Sequence, residues 1–210
     1  FNHILVHTGQ HYSYNMDKIF FEELKLRDPN YCMEVGSGTQ AEQVGKGLIE
    51  FEKILIKENP DLVIVFADTN APLTGAIAAA KLHLPVAHIE AGCRSFNRIM
   101  PEEINRIVAD HCANLLFPPD KAAYKNLKKE GMAKEKMFLV GRTIYDACLR
   151  TKNLALKTNI LEKLNLEKDN YVAVTIHRAE NTNNLDVLKG LISAINSVSN
   201  MIKIVFPVHP

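Results

Sequence analysis

Ionisable side chains gather directly after short apolar runs in this 210-residue sequence. Asp68 and Glu90 each follow such a run, and His177 with Arg178 follows another. A carboxylate can exchange a proton with a substrate, and a histidine beside an arginine is typical of a pair that handles protons or phosphate. Ligands of open α/β sheets bind beyond the carboxyl ends of the strands. If the apolar runs are strands, these four side chains mark a candidate binding edge.

Each of these positions also has a structural explanation. Asp68 could cap the helix that follows it. Glu102 and Glu103 lie in a predicted first helical turn, where the helix dipole favours negative charge. A capping or core role is equally open to the histidine. Glu90 needs a partner if it is buried at the end of its strand, and Arg94 is one candidate.

The order of elements predicts the fold that positions these residues. Short β-branched runs alternate with amphipathic stretches, which is typical of a doubly wound α/β fold with parallel sheets. The predicted strands span residues 4–7, 62–66, 86–89, 115–117, 137–140, 171–176 and 202–206. Residues 62–66 are apolar at every position, which predicts a strand buried on both faces. Thr39 and Glu42 form a capping box ahead of a long helix, and Asp120 is predicted to cap another.

A change of composition divides the chain. Residues 1–150 are predicted to form a first Rossmann-like domain, and residues 151–169, rich in Lys, Asn and Glu, a helix and connector. Residues 170–210 then begin a second Rossmann-like domain that is incomplete. Because the first residue is Phe1 and not methionine, the true N-terminus is expected to lie upstream.

Composition and missing motifs exclude several function classes. With 25 basic and 24 acidic residues, no sign of charge dominates, so neither nucleic acid nor a membrane surface is an expected partner. The four cysteines are widely spaced without a C-x-x-C pair, which favours neither a zinc site nor a disulfide framework and suits a reducing cytoplasm. Neither a G-x-G-x-x-G nor a P-loop motif is present, so dinucleotide and P-loop nucleotide binding lose their main support.

Seven short motifs in order carry a specific functional signal. Each motif lies at a predicted strand end or helix start, and together they run through the whole chain. They are T-G-Q-H at 8–11, D-T at 68–69, H-I-E-A-G-x-R at 88–94, P-E-E-x-N-R at 101–106, V-G-x-T-x-x-D at 140–146, H-R-x-E-N at 177–181 and P-V-H-P at 207–210. Together they resemble one enzyme family, the non-hydrolysing UDP-N-acetylglucosamine 2-epimerases.

The resemblance implies a fold and a reaction. The family fold is two Rossmann-like domains facing each other across a cleft, as in one large (GT-B) class of glycosyltransferases, and it implies that the first strand and most of the second domain are absent here. The reaction would interconvert UDP-N-acetylglucosamine (UDP-GlcNAc) and UDP-N-acetylmannosamine (UDP-ManNAc). UDP is eliminated to give 2-acetamidoglucal and then adds back. This chemistry requires carboxylates and cationic groups, but no cofactor and no metal.

The resemblance also assigns roles to individual residues. The family's catalytic positions match Asp68, Glu90, Glu102 and His177. The substrate-binding or supporting positions match Arg94, Arg106, Arg178, Glu180, Gln10 and His11. Of these, Gln10 and His11 match contacts to a second UDP-GlcNAc that acts as an activator in bacterial members. The family further implies a homodimer at full length.

Departures from the family pattern and rival functions stay open. Phe66 and Ala67 stand where the family usually has a polar residue and glycine, Ala71 and Pro72 replace other small residues, and Arg142 replaces asparagine. The rivals are a hydrolysing epimerase that releases UDP and N-acetylmannosamine, a glycosyltransferase of the same fold, and a sugar-nucleotide-binding module without turnover. The set of three carboxylates argues against the glycosyltransferase.

Overall fold

A computed structural model describes residues 1–9, 18–176 and 179–208 of the chain. The side chains of Ala179 and Glu180 lie outside this description. The chain divides into two compact units, Phe1–Thr151 and Lys152–Pro210. All strand pairs of the described residues are parallel, as the alternation of strands and helices predicts.

The first unit contains two parallel sheets flanked by helices. Its strands are β1 (Val6–His7), β2 (Tyr31–Cys32), β3 (Val63–Phe66), β4 (Val86–Ile89) and β5 (Leu115–Phe117). One sheet pairs β1 with β2, and the other has the order β3-β4-β5. Its helices are α1 (Lys18–Glu23), α2 (Gln40–Glu58), α3 (Asn70–Lys81), α4 (Pro101–Cys112), α5 (Lys121–Lys129) and α6 (Thr143–Ala155), the last of which crosses into the second unit.

Local sequence signals explain where two of these helices begin. The Thr39 hydroxyl accepts from the backbone N–H of Glu42, and the Glu42 carboxylate accepts in return from the Thr39 N–H at 2.8 Å. The predicted capping box is therefore confirmed at the start of α2. Asp120 accepts from the N–H groups of Ala122 and Ala123, each at 2.9 Å, and caps α5 as predicted.

The core of the first unit lies around β4, the middle strand of the larger sheet. Both faces of β4 are covered, since Val86, Ala87 and His88 are all buried. The prediction that residues 62–66 are buried on both faces is wrong for the described structure. Alternate residues of β3 pack into the core, but Ile64 is 62% exposed, because no described element covers that face.

The predicted strand at 137–140 is also wrong. Only Met137 forms a parallel bridge, to Leu116 of β5. The Phe138 N–H donates to Leu116 O at 2.9 Å and the Val140 N–H to Pro118 O at 3.4 Å, so the segment runs along the edge of β5 without forming a full strand. A run of apolar residues at the end of a sheet therefore behaves as an extended connection to α6.

The second unit repeats the same local pattern on a smaller scale. Its elements are α7 (Ile160–Lys163), β6 (Tyr171–Ala173), α8 (Ala179–Thr182), α9 (Leu185–Ser199) and β7 (Lys203–Val205). Strands β6 and β7 pair in parallel, and Asn184 caps α9 by accepting from two backbone N–H groups. Within the described part of both units, none of the helices combines the length and apolar character needed to cross a membrane.

Candidate functional site

The carboxyl ends of β3 and β4 bring two candidate carboxylates to one edge of the sheet. Phe66 and Ile89 are paired in the parallel register. Asp68 follows the first by two residues, and Glu90 follows the second directly. The edge expected from the apolar runs therefore exists, and both side chains are partly exposed there.

Asp68 is held by an arginine of α4 and does not cap α3. The N-cap of α3 is Thr69. Arg106 donates from Nε and Nη2 to Asp68 Oδ2, at 2.9 and 2.7 Å, and from Nη1 to Glu103 Oε2 at 2.7 Å. One guanidinium thus bridges two carboxylates, and Asp68 keeps 32% of its side chain exposed. Arg106 is therefore a partner of the carboxylates, as the resemblance implies.

The two neighbouring glutamates of α4 have opposite surroundings. Glu103 is buried and accepts from Ser95 N, Ser95 Oγ and Phe96 N at 2.8–3.0 Å, besides Arg106. Glu102 makes no hydrogen bond or ion pair with any described residue and is half-buried in the first turn. Glu103 therefore anchors the loop before α4, and Glu102 is the glutamate left available for chemistry.

The hydrogen bonds of Glu103 predict a stability change at acid pH. Burial acts to raise the pKa of this carboxyl, but the bonds from Ser95, Phe96 and Arg106 outweigh it and lower the pKa. A lowered folded-state pKa gives stability that is present above the unfolded value of about 4.3 and lost as pH falls through the folded value. Urea unfolding of wild type and Glu103→Gln from pH 7 to pH 3 measures this contribution. We expect the difference between their free energies of unfolding to narrow below about pH 4.3. A gap constant over this range contradicts the assignment.

Glu90 has no hydrogen-bonding or ion-pair partner among the described residues. Its backbone is left-handed, with φ of 68°. Burial raises the pKa of the nearby Cys93 thiol, and the negative charges of Glu90 and Asp120 raise it further. The negative charge at position 90 is therefore not neutralised by a direct contact.

Arg94 is not the partner of Glu90 that the sequence suggested. It donates to Asp110 Oδ2 at 2.7 Å, to both oxygens of Glu130 at 2.8 and 2.6 Å, and to Cys93 O at 2.7 Å. Its side chain is only 1% exposed. Because these bonds employ all three guanidinium nitrogens, Arg94 serves as a buried tie between α4, α5 and the loop after β4, and is not placed to contact a substrate.

A buried histidine completes this network. His88 Nδ1 lies 2.7 Å from Asp110 Oδ1, and Nε2 lies 2.9 Å from Ala67 O. Asp110 also accepts from the Gly92 N–H at 3.0 Å. The carboxylate is fully buried, yet it accepts from the Gly92 amide and the Arg94 guanidinium and faces Nδ1 of His88, and these contacts together offset the cost of burying its charge.

A second polar chain links α4 to α2. Asn105 Nδ2 donates to Asp68 O at 2.9 Å and to Asn70 Oδ1 at 3.2 Å. Asn70 Nδ2 in turn lies 2.8 Å from Gln40 Oε1 and 2.9 Å from Gln43 Oε1. The main chain of Asp68 is thus fixed by Asn105 in addition to the side-chain bonds from Arg106.

Ala67 occupies a backbone conformation that favours glycine, with φ of 64°. This gives a physical reason for the glycine that the resembled family uses there. Left-handed backbone destabilises a residue with Cβ by about 1–2 kcal/mol. Glycine avoids this cost, but its greater flexibility stabilises the unfolded state and cancels part of the gain. We expect Ala67→Gly to raise the free energy of unfolding by up to about 1 kcal/mol, measured by urea denaturation.

The matched control for this substitution is Ala147→Gly, on the exposed side of α6. Within a helix the same change is expected to lower stability by about 1 kcal/mol. If both variants change the free energy of unfolding in the same direction, the left-handed backbone at position 67 is not a source of strain.

Arg142, another departure from the family pattern, pairs with the cap of α5. Its Nη2 lies 2.7 Å from Asp120 Oδ2, and the arginine remains 61% exposed. The bond from the Ala123 N–H and then the Arg142 guanidinium lower the pKa of Asp120. The arginine is therefore paired with a carboxylate of the chain itself, while most of its side chain stays exposed.

The remaining sequence candidates cannot be placed in the structure. Gln10, His11, His177 and Arg178 lie outside the described residues. Glu180 lies in α8, but its side chain is also outside the description. Their roles therefore stay predictions.

Sequence reasoning missed His88 and Asp110, and it gave Glu103 only a helix-dipole role, although all three are buried and support the edge. On α4, Glu103, Arg106 and Asp110 follow the spacing i, i+3, i+7, which puts them on one helical face. Charged residues at this spacing usually indicate a solvated face, yet here they point inward. Their clustering opposite His88 and Arg94 depends on tertiary contacts, and only the charged stripe itself was visible beforehand.

The described residues contain no group of three or more His, Cys, Asp or Glu side chains arranged to hold a metal ion. The four cysteines are free, and Cys32 and Cys148 are exposed. The site described so far therefore consists of carboxylates, their arginine and amide partners, and strained backbone.

Comparison with known proteins places this arrangement in a family. The family model for UDP-N-acetylglucosamine 2-epimerase matches residues 1–210. A UDP-N-acetylglucosamine 2-epimerase of Methanococcus maripaludis is 48% identical over 98% of this chain and 58% of its own length. A UDP-2,3-diacetamido-2,3-dideoxy-D-glucuronate 2-epimerase of Pseudomonas aeruginosa is 43% identical over 99% of this chain and 58% of its own length.

A solved structure gives the same result. The crystal structure of the Methanocaldococcus jannaschii UDP-GlcNAc 2-epimerase, in complex with UDP-GlcNAc and UDP, is similar with a TM-score of 0.88 and 48% identity. The match covers 98% of this chain and 57% of that one, so this chain spans little more than half the length of its relatives. Over the length that it spans, the chain therefore has the α/β fold of these enzymes. By sequence and by structure, the chain belongs to the UDP-N-acetylglucosamine 2-epimerase family.

Proposed function

We propose that the protein containing this chain is an isomerase that inverts C2 of the sugar in UDP-GlcNAc to give UDP-ManNAc. One observation carries the proposal. Asp68, Glu90 and Glu102 are supplied by three different segments, and their surroundings differ: Asp68 is paired with Arg106, whereas the other two have no hydrogen-bonding partner among the described residues. Carboxylates in unequal environments are suited to act as separate acids and bases.

The chemistry explains why several carboxylates are needed. The C2 hydrogen is not acidic, so its direct removal is slow. Anti elimination breaks the C2–H bond and the C1–O bond to UDP together, with the proton going to a protein base and the electron pair leaving with UDP. The 2-acetamidoglucal intermediate then accepts UDP at C1 and a proton at the opposite face of C2. No net oxidation occurs, so the cycle consumes no redox cofactor.

Roles follow for the individual residues within this proposal. Asp68, Glu90 and Glu102 exchange the protons at the two faces of C2. Arg106 orients Asp68 through its two bonds. His177, Arg178 and Glu180 serve the leaving diphosphate, as their shared motif implies.

The family relationship supports three further proposals about the full-length protein. Gln10 and His11 contact a second UDP-GlcNAc that activates the enzyme. The protein is a homodimer. Because its four cysteines are free, it works in a reducing compartment, the cytoplasm.

A second substrate deserves a direct comparison, since the Pseudomonas aeruginosa relative is named for a diacetamido-glucuronate nucleotide and is 43% identical. The same C2 inversion would occur on a sugar that carries a carboxylate. We favour UDP-GlcNAc because the two archaeal relatives named for it are 48% and 49% identical.

Proton NMR of the full-length protein in heavy water tests the function. We expect UDP-GlcNAc to yield UDP-ManNAc with deuterium at C2, and faster than the diacetamido-glucuronate nucleotide reacts. Release of UDP and free N-acetylmannosamine would move the protein to the hydrolysing type. A folded protein that gives no product and no exchange with either nucleotide would refute the epimerase proposal and leave a binding module.

A further inference from the structure

Two turns with left-handed backbone carry the candidate carboxylates. Ala67, with φ of 64°, directly precedes Asp68, and Glu90 itself has φ of 68°. Residues with a side chain hold this conformation only where the surroundings enforce it, and such positions cluster at functional sites. Some group must therefore hold both turns in place.

His88 contacts the turn at Asp68 directly and reaches the turn at Glu90 through Asp110. It lies on β4 between them and is fully buried. Nε2 lies 2.9 Å from Ala67 O, and because a carbonyl oxygen can only accept, Nε2 is the donor. Nδ1 lies 2.7 Å from Asp110, whose other oxygen accepts from Gly92 N two residues beyond Glu90.

Asp110 is secured independently of the histidine. It accepts from Arg94 at 2.7 Å and from the Gly92 N–H at 3.0 Å. Loss of the imidazole would leave these two bonds in place, so the turn at Glu90 has a second support. The bond to Ala67 O is the side-chain contact by which β4 reaches the turn at Asp68, beside the backbone bond from Ala67 N to Ile89 O at 3.2 Å.

We propose that His88 is a positioning residue for the C2 inversion, acting through its hydrogen bond to Ala67 O to hold the left-handed turn that aims Asp68. This inference rests on the proposed function and adds a residue that makes no contact with the substrate. A small displacement of a carboxylate that exchanges a proton lowers turnover strongly without altering how the nucleotide is held.

Two substitutions separate the two bonds of the imidazole. The amide nitrogen of His88→Gln reaches about as far as Nε2 and can still donate to Ala67 O. The shorter amide of His88→Asn matches Nδ1 and can still donate to Asp110, but loses the bond to Ala67. Leu55→Ala, in the α2 side of the core, is a control for loss of stability at a position away from either turn.

The variants are compared in the full-length protein by steady-state kinetics and by hydrogen exchange with mass spectrometry. For His88→Asn we expect kcat to fall about 10–100-fold with KM within roughly twofold, and the peptide covering residues 67–69 to exchange about tenfold faster. His88→Gln is expected to restore most of both properties, and Leu55→Ala to change neither. If His88→Asn does not fold alone, the pair is made in the Asn59→Gly background, which favours the left-handed C-cap of α2 and lies outside both turns.

Three results would overturn the proposal. One is turnover and exchange unchanged in His88→Asn; another is His88→Gln as impaired as His88→Asn; the third is Leu55→Ala with an equal loss of kcat. If the wild-type protein shows no epimerisation, the proposed function fails by itself, and the exchange comparison still decides whether His88 holds the turn.

Discussion

Replacing Gly92 by alanine is expected to destabilise the first unit by about 2–5 kcal/mol. Gly92 has φ of 80°, which costs a residue with Cβ about 1–2 kcal/mol. A Cβ at this position would also lie 2.4 Å from Ala123 O and 2.7 Å from Leu127 Cγ. Relieving that overlap requires α5 to move, at a further cost of about 1–3 kcal/mol.

Gly131→Ala separates the two contributions. Gly131 has φ of 84°, but a Cβ there meets nothing within 4 Å. We expect Gly131→Ala to lower the free energy of unfolding only by the backbone cost of about 1–2 kcal/mol. Urea unfolding of both variants measures the difference, and a Gly92→Ala loss no greater than that of Gly131→Ala would show that α5 does not press on this loop.

The second large effect concerns turnover. Glu102→Gln is expected to lower kcat about 10²–10⁴-fold, the usual range for removal of a general acid or base. Stability should change by no more than about 0.5 kcal/mol, because the side chain makes no hydrogen bond within the described structure. Nucleotide NMR in heavy water and urea unfolding of the full-length protein give the two quantities.

Glu103→Gln is the matched comparison, one residue away on the same helix. Its four donors come from Ser95, Phe96 and Arg106, and removing the charge of a buried pair costs about 3–5 kcal/mol. We therefore expect a protein that unfolds at lower urea concentration. If Glu102→Gln is the destabilised variant and Glu103→Gln is the stable, inactive one, the assignment of the two glutamates is reversed.

The sequence predicted those features that depend on neighbours along the chain. The capping box of Thr39 and Glu42 uses residues three apart, and the cap by Asp120 depends on the next two N–H groups. The placement of Asp68 and Glu90 at one edge follows because parallel strands end on the same side. Each of these needs only local geometry and one topological rule.

Features that depend on distant partners were not predictable in this way. Arg94 was one candidate partner for Glu90, whereas the partners that it has, Asp110 and Glu130, lie 16 and 36 residues away from it along the chain. Ile64 was expected to be buried because every residue of its run is apolar. Apolar composition does not reveal which face of a strand a helix covers, and the face that carries Ile64 is exposed. The run at 137–140 lies beside β5 at the edge of the sheet. No described strand pairs with its other side, and the sequence of the run does not reveal this.

Helix α4 imposes a constraint on how this protein can be recombined with its relatives. Its Arg106 and Asn105 hold the turn after β3, and its Asp110 holds the turn after β4 through the amide of Gly92. A chimera that takes α4 from one relative and either turn from another would combine hydrogen-bonding partners from two different sequences. Crossovers before β3 or after α5 keep the set intact, so gene fragments exchanged at those points should give active hybrids more often than crossovers between them.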